Sequence, residues 1–489
     1  MMARFSEQLK TYIQLRSLNH AQVAQRAGVD RTLISHFVRG TRTPGSFELI
    51  EKLSAALMLS PEERKEFFRA AQIARLGEDI YLRRQAVQAM LLNISLPEGT
   101  AAAEPPSEPP DITLPQVCEG AAQIRALLKT LIDLESTQPN GEIRFLGQPE
   151  QEFLIYLLQC ASSMASLNTQ HIFCLDHNPS AGVANMANFG AILSSLFNAK
   201  HYKAFYFYGT LPAYHSYLSP FPTLLLTSTC AVQINADYTA AIVHTGPAYH
   251  LLDSVFQQAR KNSRPLVHRI DMLEDYIDRQ AAFMHNIQAG KDDCFYVLIP
   301  DLGCTSFLTK DILQEHLMPQ LSNREQLISA ILKHSEDSLR GVLNYPMVQY
   351  ISKPGILRFL DTGRFFECPD KFYTPLSPVH RARILKRCIE AAESADQYQL
   401  RLYDARALPF GHALAVTVNF NNAAFSIHSK RNFSDFIYLS VDEPSVSSAL
   451  SDYFAGLLDN PAVSSKTDTL AWLKMTLAQF YLKNNVDID

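Results

Sequence analysis

Residues 24–44 constrain the fold of this 489-residue chain more than any other stretch. Ala24 is small enough for two helices to cross closely, and Gly28 suits the left-handed conformation that ends a helix. Asp30 is a good N-cap for the helix that follows, with Val29, Ile34 and Phe37 pointing inward. That leaves Arg31, Thr32, Ser35, His36 and Arg39 on the outer face. Gly40 stops this second helix, and Pro44 opens the approach to another. The pattern predicts a helix, a tight turn and a second helix, the arrangement that places one helix in the DNA major groove.

The surrounding sequence completes a small all-helical head over residues 1–75. Helices are predicted at about 4–16, 21–27, 31–38, 46–57 and 61–76. Asn19 caps the second, Gly45 or Ser46 starts the fourth, and Ser60-Pro61-Glu62-Glu63 is a strong start for the fifth. Phe5, Leu9, Tyr12, Ile13, Val23, Ile34, Leu49, Leu53 and Leu57 supply one compact core. The head carries 12 Lys/Arg against 7 Asp/Glu, whereas the whole chain has a net charge of −5. A basic head on an acidic body suits a head that meets phosphates.

A further helix over 78–92, within a 76–96 segment, has apolar positions at Ile80, Tyr81, Val87, Met90 and Leu91 and reads as a connecting or dimerisation helix. Residues 97–115 are rich in proline and poor in large hydrophobes, which predicts an extended linker. Beyond it lies a mixed α/β body, divided into a subdomain at 116–269, a mainly helical connection at 270–350, and a second subdomain with a C-terminal helix at 351–489. The first subdomain reads as helix 116–134, strand 142–146, helix 150–166, strand 171–175, helix 183–196, strand 204–208, hairpin 223–229 with 232–235, strand 240–244 and helix 248–259. From 378 the second repeats the order helix, strand, hairpin, strand, helix, which predicts an internal duplication. The fold class is therefore multidomain, an all-α helix-turn-helix head plus a larger, internally duplicated α/β body.

The head resembles the lambda-repressor-like, Xre-type helix-turn-helix family over roughly residues 5–59, through Ala24, Gly28-Val29, Ile34-Ser35, Arg39-Gly40 and Pro44. The resemblance implies base contacts from Arg31, Thr32 and His36, an arginine pairing with guanine and a threonine methyl meeting a thymine methyl. It implies phosphate contacts from Asn19, His20, Ser35, Arg39 and Arg42. At position 20 the family usually has a glutamine, and this chain has histidine. The implied partner is double-stranded DNA, an inverted-repeat operator bound by a homodimer.

The order of strands and helices in the body resembles the phospholipase D superfamily, which also underlies effector domains of some sugar-responsive archaeal regulators. Those enzymes need a His-x-Lys-x4-Asp element in each repeat, one histidine attacking phosphorus and the other protonating the leaving group. One literal match exists, at His428, Lys430 and Asp435. The strand that repeat alignment assigns to the motif instead holds His412, Leu414 and Asn419, and the first copy has no counterpart. A degenerate, non-catalytic body is therefore expected, with a phospholipase D-like phosphodiesterase or a helix-turn-helix-targeted effector as the alternative. A peptide-pheromone receptor is a further alternative, disfavoured by the strands because those bodies are all-helical.

No dinucleotide fingerprint, phosphate-binding P-loop, HExxH or GxSxG motif is present. The eight cysteines form no CxxC pair, so no zinc ribbon or disulfide framework is indicated, and no cofactor or metal is expected. No run reaches the roughly 18–20 apolar residues of a membrane span, and the expected location is the cytoplasm. A small-molecule or peptide effector is expected in the body. Asp176 and His177 at a strand end, Tyr206 and Tyr208 in an aromatic cluster, and Arg364, Asp404 and Arg406 at turns form the candidate ligand pocket.

Overall fold

The computed structural model describes residues 2–94, 116–149, 167–177, 182–199, 201–209, 220–270, 275, 294–419, 421–428 and 436–485. The predicted 97–115 linker and 150–166 helix lie outside these residues. The head is five helices: α1 (Met2–Leu15), α2 (His20–Ala27), α3 (Arg31–Val38), α4 (Phe47–Ala56) and α5 (Pro61–Leu76). Their ends are set by local chemistry. Asn19 and Gln22 form a capping box at α2, and Ser60 and Glu63 form another at α5, behind Pro61 in the first turn. Ser46 caps α4 by accepting from the Leu49 N–H. Phe5, Leu9, Ile13, Val23, Ile34, Phe37, Ile50, Leu53, Leu57 and Phe67 are buried together, while Tyr12 and Leu49 sit at the margin.

The body contains two sheets. The first holds β1 (Val117–Glu119), β2 (Glu142–Leu146), β3 (Asn168–Asp176), β4 (Tyr202–Gly209), β5 (Thr223–Leu226), β6 (Ala231–Ile234), β7 (Ala240–His244) and β8 (Arg264–Pro265), in the order β1-β7-β6-β5-β2-β3-β4-β8. The second holds β9 (Val267–Ile270), β10 (Phe295–Leu298), β11 (Met347–Ser352), β12 (Tyr398–Tyr403), β13 (Leu414–Val418), β14 (Ala423–His428) and β15 (Phe436–Val441), in the order β12-β11-β10-β13-β14-β15-β9. In each, three parallel strands are followed by three antiparallel ones, and the strand that opens the copy pairs antiparallel with the last. β9 to β15 thus repeat β1 to β7. The body is duplicated in topology.

This topology corrects two readings. Residues 270–350 are not merely a helical connection, because β10 and the start of β11 lie in that segment and are interior strands of the second sheet. Each is a short buried run beside the 21-residue helix α11 (Arg324–Asn344), whose periodicity dominates the segment. The first helix of the body, α7 (Ala121–Ser136), starts later than expected, and Val117–Glu119 joins the sheet as an edge strand.

Helices α8 (Gly182–Asn198) and α14 (Pro444–Leu457) lie in the large apolar cluster between the sheets. Phe189 of α8 meets Phe425 of β14 across the copies at 5.7 Å, and Phe454 of α14 stacks on Tyr350 at 5.9 Å. The outer face of the first sheet is covered by Phe256 of α9 (Gly246–Lys261). The outer face of the second packs against α10 (Lys310–His316), α11, α12 (Lys353–Thr362), α13 (Pro378–Ser394) and α15 (Lys466–Asn484).

Helix α6 (Glu78–Leu92) follows the head but packs into the body. Val87, Met90 and Leu91 belong to the cluster between the sheets, against α8 and α14, so this face is not available for dimerisation. Arg84 donates from Nε and Nη2 to the two carboxylate oxygens of Asp452 on α14, at 3.0 and 2.9 Å, and Arg83 adds a contact at 3.5 Å. Arg75 at the end of α5 pairs with Asp459. Gly456 makes the approach possible, because a Cβ there would stand 2.3 Å from the Arg84 guanidinium. Leu91→Ala should destabilise the body by about 2–5 kcal/mol, read by urea denaturation, since it opens a cavity in a shared core. A double-mutant cycle on Arg84 and Asp452 should give a coupling of about 1–2 kcal/mol. Strictly additive effects would mean that the pair does not hold α6.

Candidate functional site

The turn between α2 and α3 follows from three residues. Gly28 has φ 65° and ψ 38°, the left-handed conformation that a side chain would strain, and its N–H closes α2. Asp30 then accepts from the Thr32 N–H at 2.6 Å and starts α3. Its carboxyl lies below the ordinary range, chiefly through hydrogen bonding to Thr32. Ile34 and Phe37 anchor α3 in the head core, which turns Arg31, Thr32 and Arg39 outward.

Of the residues read as base contacts, Arg31 and Thr32 are exposed at the start of α3. His36 is half-buried, with Nδ1 2.9 Å from Thr41 Oγ1. Of those read as phosphate contacts, Asn19, Arg39 and Arg42 are exposed. His20 and Ser35 are half-buried and meet, Nδ1 to Oγ at 3.2 Å, bridging the first turn of α2 to the middle of α3. The contact joins α2 to α3 across the turn.

The seven residues read as one ligand pocket do not converge. Asp176, Tyr206 and Tyr208 lie at a polar seam between the copies. Tyr208 donates to Glu443 Oε1 at 2.7 Å, and Ser445 donates to Glu443 Oε2 at 2.6 Å. Asn185 donates to the Asp176 carbonyl at 2.7 Å and to Ser445 Oγ at 3.0 Å. Glu443 is fully buried and also caps α14 by accepting from the Val446 N–H. This seam fastens the copies together. His177 beside it is exposed. Arg364 donates to the carbonyls of Asp370 and Tyr373 and lies over the Tyr373 ring, so it staples a loop. Asp404 accepts from the Arg406 N–H in an exposed turn. Asn185, Glu443 and Ser445 carry no motif, and only the fold brings them to Tyr208.

Two cavities flank the outer face of the second sheet, and none of those seven residues lines either. The larger, about 90 Å³, has a polar wall that includes Thr305, Ser306, His334, Ser338, Glu367 and Thr417. The smaller, about 50 Å³, is mostly apolar, and Thr305, His334 and Glu367 line both. His334 Nδ1 is buried without a hydrogen-bond partner among the described residues, and burial lowers the imidazole's pKa. Glu367 Oε2 accepts from the Thr305 N–H at 2.9 Å. Burial first, then the Asp301 charge, pushes the Glu367 carboxyl up to about 7. Asp301 is fully buried behind it, accepts from the Phe366 N–H at 2.7 Å, and is raised by burial to about 6. Neither acid was a sequence candidate, since an isolated Asp or Glu in a loop carries no pattern.

His428 ends β14, buried, with Nε2 on the Phe366 carbonyl and its ring edge-on to Phe366 at 4.5 Å. Lys430 and Asp435 of the same sequence match lie outside the described residues.

A family model described as a helix-turn-helix domain matches residues 4–67. Among solved structures, polyphosphate kinase from Porphyromonas gingivalis is similar at 11% identity, with 72% of this chain and 53% of that one covered and a TM-score of 0.22. The chain therefore spans about half the length of that kinase. TrmBL2, an archaeal chromatin protein described as showing a novel mode of DNA binding, is similar at 11% identity over 48% of this chain and 76% of that one, with a TM-score of 0.15. No curated protein matches the chain. No helix among the described residues is long and apolar enough to cross a membrane. Residues 4–67 of this chain form a helix-turn-helix domain.

Proposed function

We propose that this chain is a sequence-specific DNA-binding transcriptional regulator. Its head reads an operator and its α/β body, acting without catalysis, senses a small polar ligand. The observation that carries the reading is the outer face of α3. Arg31 and Thr32 stand exposed at its start and Arg39 at its end, on a helix fixed by two capped termini and a buried Ile34–Phe37 pair. Such a face offers bidentate hydrogen bonds to guanine from Arg31 and charge to phosphates from Arg39 and Arg42. One recognition helix covers only a few base pairs, so the operator is an inverted repeat bound by a homodimer in the cytoplasm. Because α6 spends its apolar face on the body, the dimer contacts come from other surfaces.

The polar cavity on the second sheet supports the sensing role. Its hydroxyls, the His334 nitrogen that has no partner among the described residues, and Glu367 suit a ligand that donates and accepts hydrogen bonds. Binding that favours one arrangement of the two copies shifts α6, which is packed between them, and through it the head. The enzymatic alternative gains nothing from His428, which is enclosed against Phe366.

Titration of the full chain against operator fragments selected from random DNA tests the DNA reading. Arg31→Ala should cost about 1–3 kcal/mol and relax selection at one base pair. Arg39→Ala should weaken binding evenly across sequences and reduce the salt dependence by about one counterion. Absence of any selected sequence, or equal affinity of the Arg31 variant for every fragment that the parent prefers, would sink it.

Buried Asp301 and half-buried Glu367 give a second check. A raised carboxyl pKa means that the folded state binds more protons than the unfolded state between the ordinary carboxylate range and about pH 7. Stability is therefore fullest below that window and falls as pH rises through it. Glu367→Gln keeps an acceptor for Thr305 and removes the charge. It should flatten the fall and leave the variant more stable than the parent at pH 8, by on the order of 1–3 kcal/mol. Parallel urea-denaturation profiles for the two proteins from pH 5 to 8 would show that Glu367 is not held in this state.

A further inference from the structure

One cluster lies apart from both the α3 face and the polar cavity. Glu315 and His316 end α10, and His380 stands in the first turn of α13. The two segments are brought together by a bridge between Leu317 and Tyr373 and by the Thr374 N–H donating to the His316 carbonyl at 2.8 Å. Both imidazoles are buried, whereas the Glu315 carboxylate is 57% exposed. His316 Nε2 is 2.8 Å from His380 Nδ1 and 3.2 Å from Glu315 Oε1, and His380 Nδ1 is 3.9 Å from the same oxygen.

We propose that Glu315, His316 and His380 form a site for a divalent transition metal, Zn²⁺ above all. The geometry is the argument. Zinc bound to imidazole nitrogen and carboxylate oxygen at about 2.0–2.2 Å gives a tetrahedron whose edges are roughly 3.3–3.5 Å. The three separations bracket that edge, so a shift of a few tenths of an ångström in each side chain admits the ion. Two histidines and one carboxylate are also a donor set that zinc takes when one position stays open to water. The exposed side of Glu315 is where that position would face. Ordinary surface acids without an ion do not carry two buried imidazoles aimed at one point.

The outer atoms are in place too. His380 Nε2 lies 3.8 Å from Asp311 Oδ2, and His316 Nδ1 lies 3.3 Å from Thr374 Oγ1. A liganded imidazole turns its other nitrogen to such an acceptor. Asp311 is itself held by Thr309 and Arg383. Without metal, His316 Nε2 accepts from the Ser377 N–H at 3.4 Å, so in the 2.8 Å N–H···N contact the proton sits on His380 Nδ1. Metal takes the place of both donors, and the His380 proton moves to Nε2 of the same ring, toward Asp311. No oxidant or further reactant is required. The ion would cross-link α10 to α13 beside the apolar cavity, whose wall includes His316. It stands independently of the DNA-binding reading.

The test uses the full chain freed of metal with a chelator and titrated with Zn²⁺ alone, followed by calorimetry, and with Co²⁺, followed by absorption. One equivalent should bind, with visible Co²⁺ bands of a tetrahedral site and no near-ultraviolet thiolate-to-metal band. His380→Gln should abolish binding. Glu315→Gln, at an exposed side chain whose loss leaves the fold intact by circular dichroism, should weaken it about 10–100-fold, as should Asp311→Asn. The proposal is overturned if the parent binds no stoichiometric Zn²⁺, if His380→Gln and Glu315→Gln both bind like the parent, or if a thiolate band reveals that cysteines hold the metal.

Discussion

The packing of α6 between the two halves of the body is the constraint on which the rest of the molecule depends. A pair of sheets of this size must cover one face of each, and here they do so against a common layer built from α8, α14 and α6. Two of those helices belong to the copies themselves. The third is supplied by the segment that leaves the head. Val87, Met90 and Leu91 would otherwise be exposed to water, and their burial makes the helix that follows the head part of the body's core. The Arg84–Asp452 fork adds direction to what apolar contact alone leaves free to slide.

That attachment gives physical content to the idea of a regulated DNA reader. A head tethered by a loose linker would bind its operator regardless of what the body does. In the proposed reading, a head whose next helix is packed against both copies would respond to a change in the angle between them. The seam is polar as well as apolar, with Tyr208 of one copy on Glu443 of the other and Asn185 reaching Ser445. Around the buried Glu443 and Asn185 these hydrogen bonds hold the two copies in one arrangement. The two cavities lie on the far side of the second sheet, and in the proposed reading that is where a ligand would act.

Much of the head was legible because its information is local. Asn19, Asp30, Ser46 and Ser60 cap helices within three residues of themselves, and Gly28 makes the turn without help from elsewhere. The body was legible only in outline. Period-two alternation sends Phe205 and Phe207 to one face of β4 and Tyr206 and Tyr208 to the other; Phe205 and Phe207 join one apolar cluster and Tyr206 the other, while Tyr208 is exposed and joins neither. Strands β10 and β11 went unread because four- and six-residue apolar runs beside a long helix carry too little periodicity. The duplication was visible in the order of elements, but the start of its second copy was hidden in that same segment. Functional groups in the body were the hardest to find. His316 and His380 are 64 residues apart, and Asn185 and Ser445 are 260 apart, so nothing in a linear pattern joins them.

The most direct test of the account is amide hydrogen exchange on the full chain, resolved to the peptides of α5, α6, β3 and β14. If α6 is part of the body's core, the amides around Val87 and Leu91 exchange as slowly as those of β3 and β14, and together with them as denaturant is raised. Exchange of α6 at the faster rate of the head, in step with α5 and ahead of both sheets, would show that the head is merely tethered and would contradict the account.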